Sequence, residues 1–472
     1  MVTLLTLLAY AMTVFILGFM AWEHLRGKTD ALSIRNFGLL GYVMFMIVSA
    51  PMAFTQFPGN PYNLSNPQST GAKYMAWAVV FLGVFLITYR MGFGVPRLVK
   101  LLPKPKSRPG DATVFAMAVV MSGIAFPMLF SVMVPYIGTL SGWVGTSLCA
   151  VSAGMVGWVW SKRLFNPVIA IPAIIIVAFD FVLAQWGEFG RRSMVTVGAA
   201  FIWGMYYGNF RYLAPTQQAL RVALFTIPPV LVIGLYSSVR DSTEAKAGKT
   251  FSKAFAQGNA LDGLSEATAQ NAANIGMWVM EQQSLDRIEH RHLFSIQYFF
   301  LHPVPRALFP RVGLEKPWPL STMTADLANR RGVKSGRLGI TNPAGVIGNA
   351  SVEGGFYALI VYAFVGALLL RFLDDLVQSD VLNPLLVLPP ASALGQTLGL
   401  ARGEVPVFAF MMVFSTVATI IVMVFVGKVI DRVAPQLANT DLDGASDDWG
   451  DEFEDYGDWD AGHHERADRS HA

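Results

Sequence analysis

Eleven apolar stretches, each close to the length that crosses a bilayer, dominate the chain. They fall near 2–22, 38–56, 74–95, 113–136, 140–160, 166–186, 193–210, 218–237, 355–373, 382–401 and 405–429. A helix needs ~20 such residues to span the hydrocarbon core. Lipid offers backbone amides no partner, so each span must satisfy its own hydrogen bonds, which in a chain of such runs means helix. The pattern predicts an all-α polytopic membrane protein with about 11 transmembrane helices. Only 14% of the residues are charged, against about 25% in soluble domains. The run 382–401 holds Pro384, Pro389 and Pro390, so a re-entrant hairpin is the alternative there. Val2 to Trp22 lacks a basic leader region and reads as a first span. Cys149 is the sole cysteine, so no intramolecular disulfide forms. A net charge of +3 gives no footing for a nucleic-acid partner.

Lysine and arginine in short loops set orientation. Arg90, Arg97, Lys100, Lys104, Lys106 and Arg108 crowd one loop, which is therefore assigned to the cytoplasm. Alternation puts Arg26, Lys28, Arg35, Lys162, Arg163, Arg211 and Arg221 on the same side. The N-terminus is then outside and the C-terminus inside. One outer loop breaks the bias, for "WGEFGRRS" carries Arg191 and Arg192 together.

This reading divides the chain into an N-terminal membrane bundle (1–237, about eight spans), an extracytoplasmic loop (238–354), C-terminal spans (355–430) and a tail (431–472). Within the loop, 262–290 reads as a helix with an apolar face of Leu264, Ala267, Ala272, Ile275, Trp278 and Val279. Aromatics and prolines follow, and the loop is expected to fold as a cap over the bundle. No internal repeat of the kind common in transporters is visible. From Asp441 onward the tail holds twelve of the chain's 32 acidic residues, and it is expected to be disordered.

Four features are suited to chemistry. "PRALFPRVGLEKPWPL" (305–320) combines Arg306, Arg311 and Lys316 with four prolines. Guanidinium forks grip phosphate oxygens in pairs, and proline pre-sets the backbone that holds them. The plainer alternative is an interfacial anchor among lipid headgroups. Arg191 and Arg192, joined at the same level by Arg240 in "SSVRDS", extend the outer cation set, unless they simply snorkel. Asp180 is an acid well inside a span, where a lone carboxylate costs several kcal/mol. It is a candidate catalytic group, or else a structural ion pair or a hydrogen-bonded acid. Glu353, beside Gly354 and Gly355, is a candidate base at the membrane lip. Its alternative is an acid favoured by a helix dipole. His290, His292 and His302 lack the spacing of metal ligands, so no metal or cofactor is expected. No Walker, GxSxG, HExxH or Rossmann motif occurs.

The Pro-Arg strip, the outer arginine pair and the run "GNASVEGG" entering a helix resemble the oligosaccharide repeat-unit polymerases of bacterial surface polysaccharides (the O-antigen polymerase, Wzy-type, family). The resemblance rests mainly on 305–317 and 348–366. It implies a glycosyltransferase in the bacterial inner membrane that moves a growing glycan from undecaprenyl diphosphate onto the next lipid-linked unit. A chain-length regulator and a flippase would be its partners. "PRALFP" and "EKP" then supply Arg306, Arg311 and Lys316 as phosphate or glycan contacts, and "GRR" supplies Arg191 and Arg192. Where the family often has an acid after the glycine that Gly348 matches, this chain has Asn349, with Glu353 four places later. Cations placed where diphosphate leaves would stabilise its growing charge.

The competing readings are a glycan ligase of similar layout, a transporter or flippase for a lipid-linked or anionic solute, and a scaffold organised by the acidic tail. The orientation is testable by itself. A cysteine introduced near Lys249, with Cys149 removed, reacts with impermeant thiol reagents in intact cells. Labelling only after lysis refutes the assignment.

Overall fold

The computed structural model describes residues 1–54, 62–105, 108–131, 134, 138–187, 191–239, 256, 258–262, 272–304, 308–309, 320, 324, 343–403 and 405–435. These are all-helical, 82% helix with no strand. In chain order the helices are α1 (Val2–Leu25), α2 (Ile34–Phe54), α3 (Pro67–Met91), α4 (Val95–Leu101), α5 (Asp111–Phe130), α6 (Gly138–Lys162), α7 (Pro167–Gly187) and α8 (Arg191–Gly208). They continue as α9 (Pro215–Val239), α10 (Ala272–Ser284), α11 (Phe294–Leu301), α12 (Gly345–Glu353), α13 (Phe356–Gln378), α14 (Pro384–Ala391), α15 (Leu394–Gly399) and α16 (Val405–Val433).

Nine helices among the described residues are long and apolar enough to cross a membrane: α1, α2, α3, α5, α6, α7, α9, α13 and α16. They make this a multi-pass membrane protein. The sequence reading of eleven differs at two places, for separate physical reasons. α8 occupies the expected run 193–210 but starts with Arg191, Arg192 and Ser193. It tolerates polar residues because it is enclosed by other helices and does not face lipid, with Met194, Val197, Trp203 and Tyr206 fully buried. The run 382–401 forms two short helices instead of one. Pro389 and Pro390 each remove a backbone donor in the last turn of α14, and the helix breaks at Ser392 and Ala393.

Helix boundaries follow capping chemistry. Ser33 and Asn66 accept the Asn36 and Ser69 amides (both 3.2 Å) to start α2 and α3. Pro67 fits the first turn of α3, and Gly92 closes that helix in a left-handed conformation with φ of 65°. Asn383 caps α14, ahead of Pro384.

Burial ranks the spans. In α6, 89% of the apolar window lies inside the bundle, against 22% for α1 and 17% for α9. Thus α6 is central, and α1 and α9 are peripheral. The approach of α6 to α8 depends on glycine. A Cβ on Gly204 would stand 1.9 Å from the Gly154 carbonyl oxygen, and one on Gly157 would stand 2.4 Å from that of Phe201. Between membrane helices, small residues of this kind let the backbones touch, and dispersion replaces the hydrophobic drive.

The end of the bundle where α3 and α13 finish is tied by polar bonds. The Asp374 carboxylate accepts the Ile34 and Arg35 amides (2.7 and 3.0 Å) and the Tyr89 hydroxyl (2.7 Å). It thereby satisfies two of the amides that open α2. Asp30 takes Arg211 Nε at 2.8 Å and the Tyr207 hydroxyl at 3.2 Å. Burial pulls the Arg211 guanidinium down, but Asp30 outweighs it and holds the group above its usual range.

Crowding at Gly204 predicts a contrast in stability. Gly204→Ala costs ~1–3 kcal/mol through overpacking, whereas Gly83→Ala, with nothing within 4 Å of the new Cβ, is neutral. Thermal melts in detergent check this, and equal midpoints refute it.

Candidate functional site

Much of the cation set expected from the sequence lies outside the described residues. This holds for Arg240, Arg306, Arg311 and Lys316, for most of the loop 238–354, and for the acidic tail. Arg191 is described through its backbone alone, as the first residue of α8.

Arg192 is fully placed. Its guanidinium lies 4.3 Å above the Phe408 ring, and Nη1 donates to Gln396 Oε1 at 3.4 Å. The Phe408 ring sits on the turn between α15 and α16. A Cβ on Gly399 would meet it at 2.5 Å and one on Gly403 at 1.8 Å. That space is open only because both residues are glycine. Arg402 lies on the same turn, its guanidinium 5.4 Å from the centre of the Phe45 ring. One arginine on the turn and one stacked on the ring beside it therefore each lie over an aromatic face. Such stacking holds the planar group in a fixed orientation.

α12 packs against this turn, with the Val346 amide donating to the Ala401 carbonyl at 2.9 Å, and α10 packs against α12; both helices are embedded in the bundle. All nine residues of α12 are buried, as are ten of the thirteen in α10. The sequence reading expected one amphipathic helix over 262–290; among the described residues the helix is α10, which ends at Ser284 and is enclosed on nearly every side, while 285–290 leave it as largely exposed turns. The two helices touch at Gly276 and Gly348, where a Cβ on Gly348 would lie 2.7 Å from Gly276 Cα. Asn349 Nδ2 donates to the Gly403 carbonyl at 3.3 Å, which links α12 to the arginine turn. Asn349 Oδ1 and Asn274 Nδ2 are buried and find no hydrogen-bond partner among the described residues. An unmatched buried amide is costly, and sites that bind polar groups carry them.

Glu353 is completely buried and not open at a membrane lip. Ser295 donates both its backbone amide (2.7 Å to Oε2) and its hydroxyl to the carboxylate. The Tyr362 hydroxyl donates to Oε2 as well. The residue ends α12, satisfies the start of α11 and is bound to α13. Glu353 is thus not the N-terminal acid of its own helix; it ends α12, and its carboxylate instead accepts from the first turn of α11.

Asp180 is also fully buried, on α7. Oδ1 accepts the Ser122 hydroxyl at 2.7 Å, Ser122 contacts Ser152 at 2.7 Å, and the Cys149 thiol borders the same carboxyl. No ion pair to Asp180 occurs among the described residues, so the hydrogen-bonded alternative fits better than the salt bridge. Asp180 bonds to Ser122 and Glu353 to Ser295 and Tyr362, whereas Arg192 bonds to Gln396 and stacks on Phe408. No group of three metal-ligating side chains occurs among the described residues.

The sequence reading singles out none of Arg402, Gln396 and Asn274, and Asn349 stands out in it only as an amide where an acid is expected. For Arg402 the signal was present. In the assigned orientation "LARGEVP" falls on the outer side, where Arg191 and Arg192 had already broken the charge bias. Comparisons with protein-family models, with curated proteins and with solved structures find no match to this chain.

The Glu353 contacts predict a structural cost. Tyr362→Phe lowers stability by about 1 kcal/mol. Glu353→Ala orphans three donors and costs clearly more. Thermal melts of the purified variants check this, and a Glu353→Ala protein that melts like wild type overturns the assignment.

Proposed function

We propose that the protein is a membrane glycosyltransferase that joins oligosaccharide units carried on undecaprenyl diphosphate into a surface polysaccharide. In this reading it works at the outer face of a bacterial inner membrane, alongside a flippase and a chain-length regulator. One juxtaposition carries the reading: Arg402 lies on a glycine-bearing turn, and Arg192 stacks on the Phe408 ring packed against that turn, each guanidinium over an aromatic ring. A diphosphate leaving group gains negative charge as the glycosidic bond breaks. Guanidinium groups fixed beforehand stabilise that charge without reorganising at the moment of reaction. Gln396 and Asn349, on helices flanking the turn, are suited to bonding sugar hydroxyls. Arg191 adjoins Arg192 in sequence, and Arg306, Arg311, Lys316 and Arg240 would add to the same field.

A transporter for an anionic or lipid-linked solute is the second reading. It is favoured by the broken pair α14 and α15 and by the embedded short helices α10 and α12. Discontinuous helices of this kind line substrate sites in secondary transporters.

Arg192→Ala and Arg402→Ala each lower polymer formation about 10²–10³-fold, as removal of an oxyanion donor does. Lysine at either position restores little, because it lacks the planar fork. Gels of surface polysaccharide collapse to single repeat units while the variants still insert. Liposomes loaded with lipid-diphosphate glycan separate the readings. Longer products support the polymerase; movement of glycan without new bonds supports the transporter.

A further inference from the structure

At the end of the bundle opposite Arg192, a second site is built from α4, the segment after it and the C-terminal end of α13. Its walls are Pro96, Val99, Lys100, Lys104, Asp375, Gln378 and Ser379, around a cavity of about 260 Å³. That far exceeds the ~10–15 Å³ that seats one water. By contrast, the apolar cavity bounded by Leu39, Phe81 and Leu370 measures only about 30 Å³, too little for a lipid chain.

Opposite charges line the larger cavity. Lys100 and Lys104 make no ion pair among the described residues. Asp375 Oδ1 is 2.8 Å from Arg371 Nε, while its Oδ2 is buried without a hydrogen-bond partner among the described residues. Gln378 ends α13, so the negative end of that helix dipole adjoins the Asp375 side of the cavity. The cavity's surroundings are apolar: Leu98 and Leu101 of α4 and the preceding Phe93 are exposed. A short helix with outward leucines and neighbouring cations lies at a membrane interface, among headgroups.

We propose that this cavity seats the headgroup of an aminophospholipid. Lys100 and Lys104 take the phosphate, and the partly exposed Asp375 carboxylate with the α13 terminus takes the ammonium. The two lysines alone would accept any phosphate. The carboxylate across the cavity selects a headgroup carrying a cation small enough to donate hydrogen bonds. A choline headgroup has no such donor, and a glycerol headgroup has no positive charge. The site is independent of the activity proposed for the Arg192 end.

The test uses the full-length protein, delipidated in mild detergent and examined by native mass spectrometry. Probes are phosphatidylethanolamine, phosphatidylglycerol and phosphatidylcholine with the same acyl chains, and inorganic phosphate alone. Phosphatidylethanolamine binds most tightly. Lys100→Gln with Lys104→Gln weakens it and phosphatidylglycerol about tenfold, the size of one lost charge-assisted bond. Asp375→Asn weakens phosphatidylethanolamine but not phosphatidylglycerol. Melting points of the lipid-free variants match wild type, which separates binding from folding. Retention of phosphatidylethanolamine unchanged by the lysine pair overturns the site. Equal binding of the three lipids, or displacement by inorganic phosphate alone, overturns the headgroup assignment.

Discussion

Carboxylates matched to backbone amides hold this bundle in register. Asp374 accepts the first two amides of α2 and the Tyr89 hydroxyl, so three spans are tied at one point. In water those amides would be solvated at little cost. At the edge of a bilayer, each unmatched donor costs several kcal/mol, which makes one carboxylate decisive for where α2 begins. Glu353 repeats the device toward the other end, with Ser295 and Tyr362. Both acids occupy places where a helix start would otherwise lack partners.

Glycine does the complementary work. Membrane helices gain little from hiding apolar surface against one another, so contact has to come from close approach. The meetings of Gly154 with Gly204, Gly276 with Gly348, and Phe408 with Gly399 and Gly403 are of that type. The last of these shapes the candidate site, because the ring that supports Arg192 fits only where no Cβ stands.

The apolar runs were legible because their length and composition follow directly from the solvent. Nine of the expected spans correspond to helices of sufficient length and apolarity. α8 was also expected, over 193–210, but it is less apolar than the nine. A helix enclosed by protein escapes the composition rule that lipid imposes, and enclosure depends on neighbours far away in sequence. Its first residues, Arg191 and Arg192, stood out in the charge pattern, and Arg192 does occupy a defined place beside Phe408. Arg402 broke the same rule without notice, as a single residue between two runs. The partners of Asp180 and Glu353 were illegible, since Ser122 and Ser295 each lie 58 residues away in sequence.

The sequence by itself determined that this chain is helical and repeatedly crosses a membrane, because hydrocarbon accepts only segments that close their own hydrogen bonds. Only the tertiary structure decided which polar side chains meet: that Glu353 closes a helix start, that Asp180 rests among hydroxyls, and that Arg192 stacks on the ring packed against the turn carrying Arg402. Local pattern reports the solvent each residue requires. Which distant residue supplies it depends on how the helices pack.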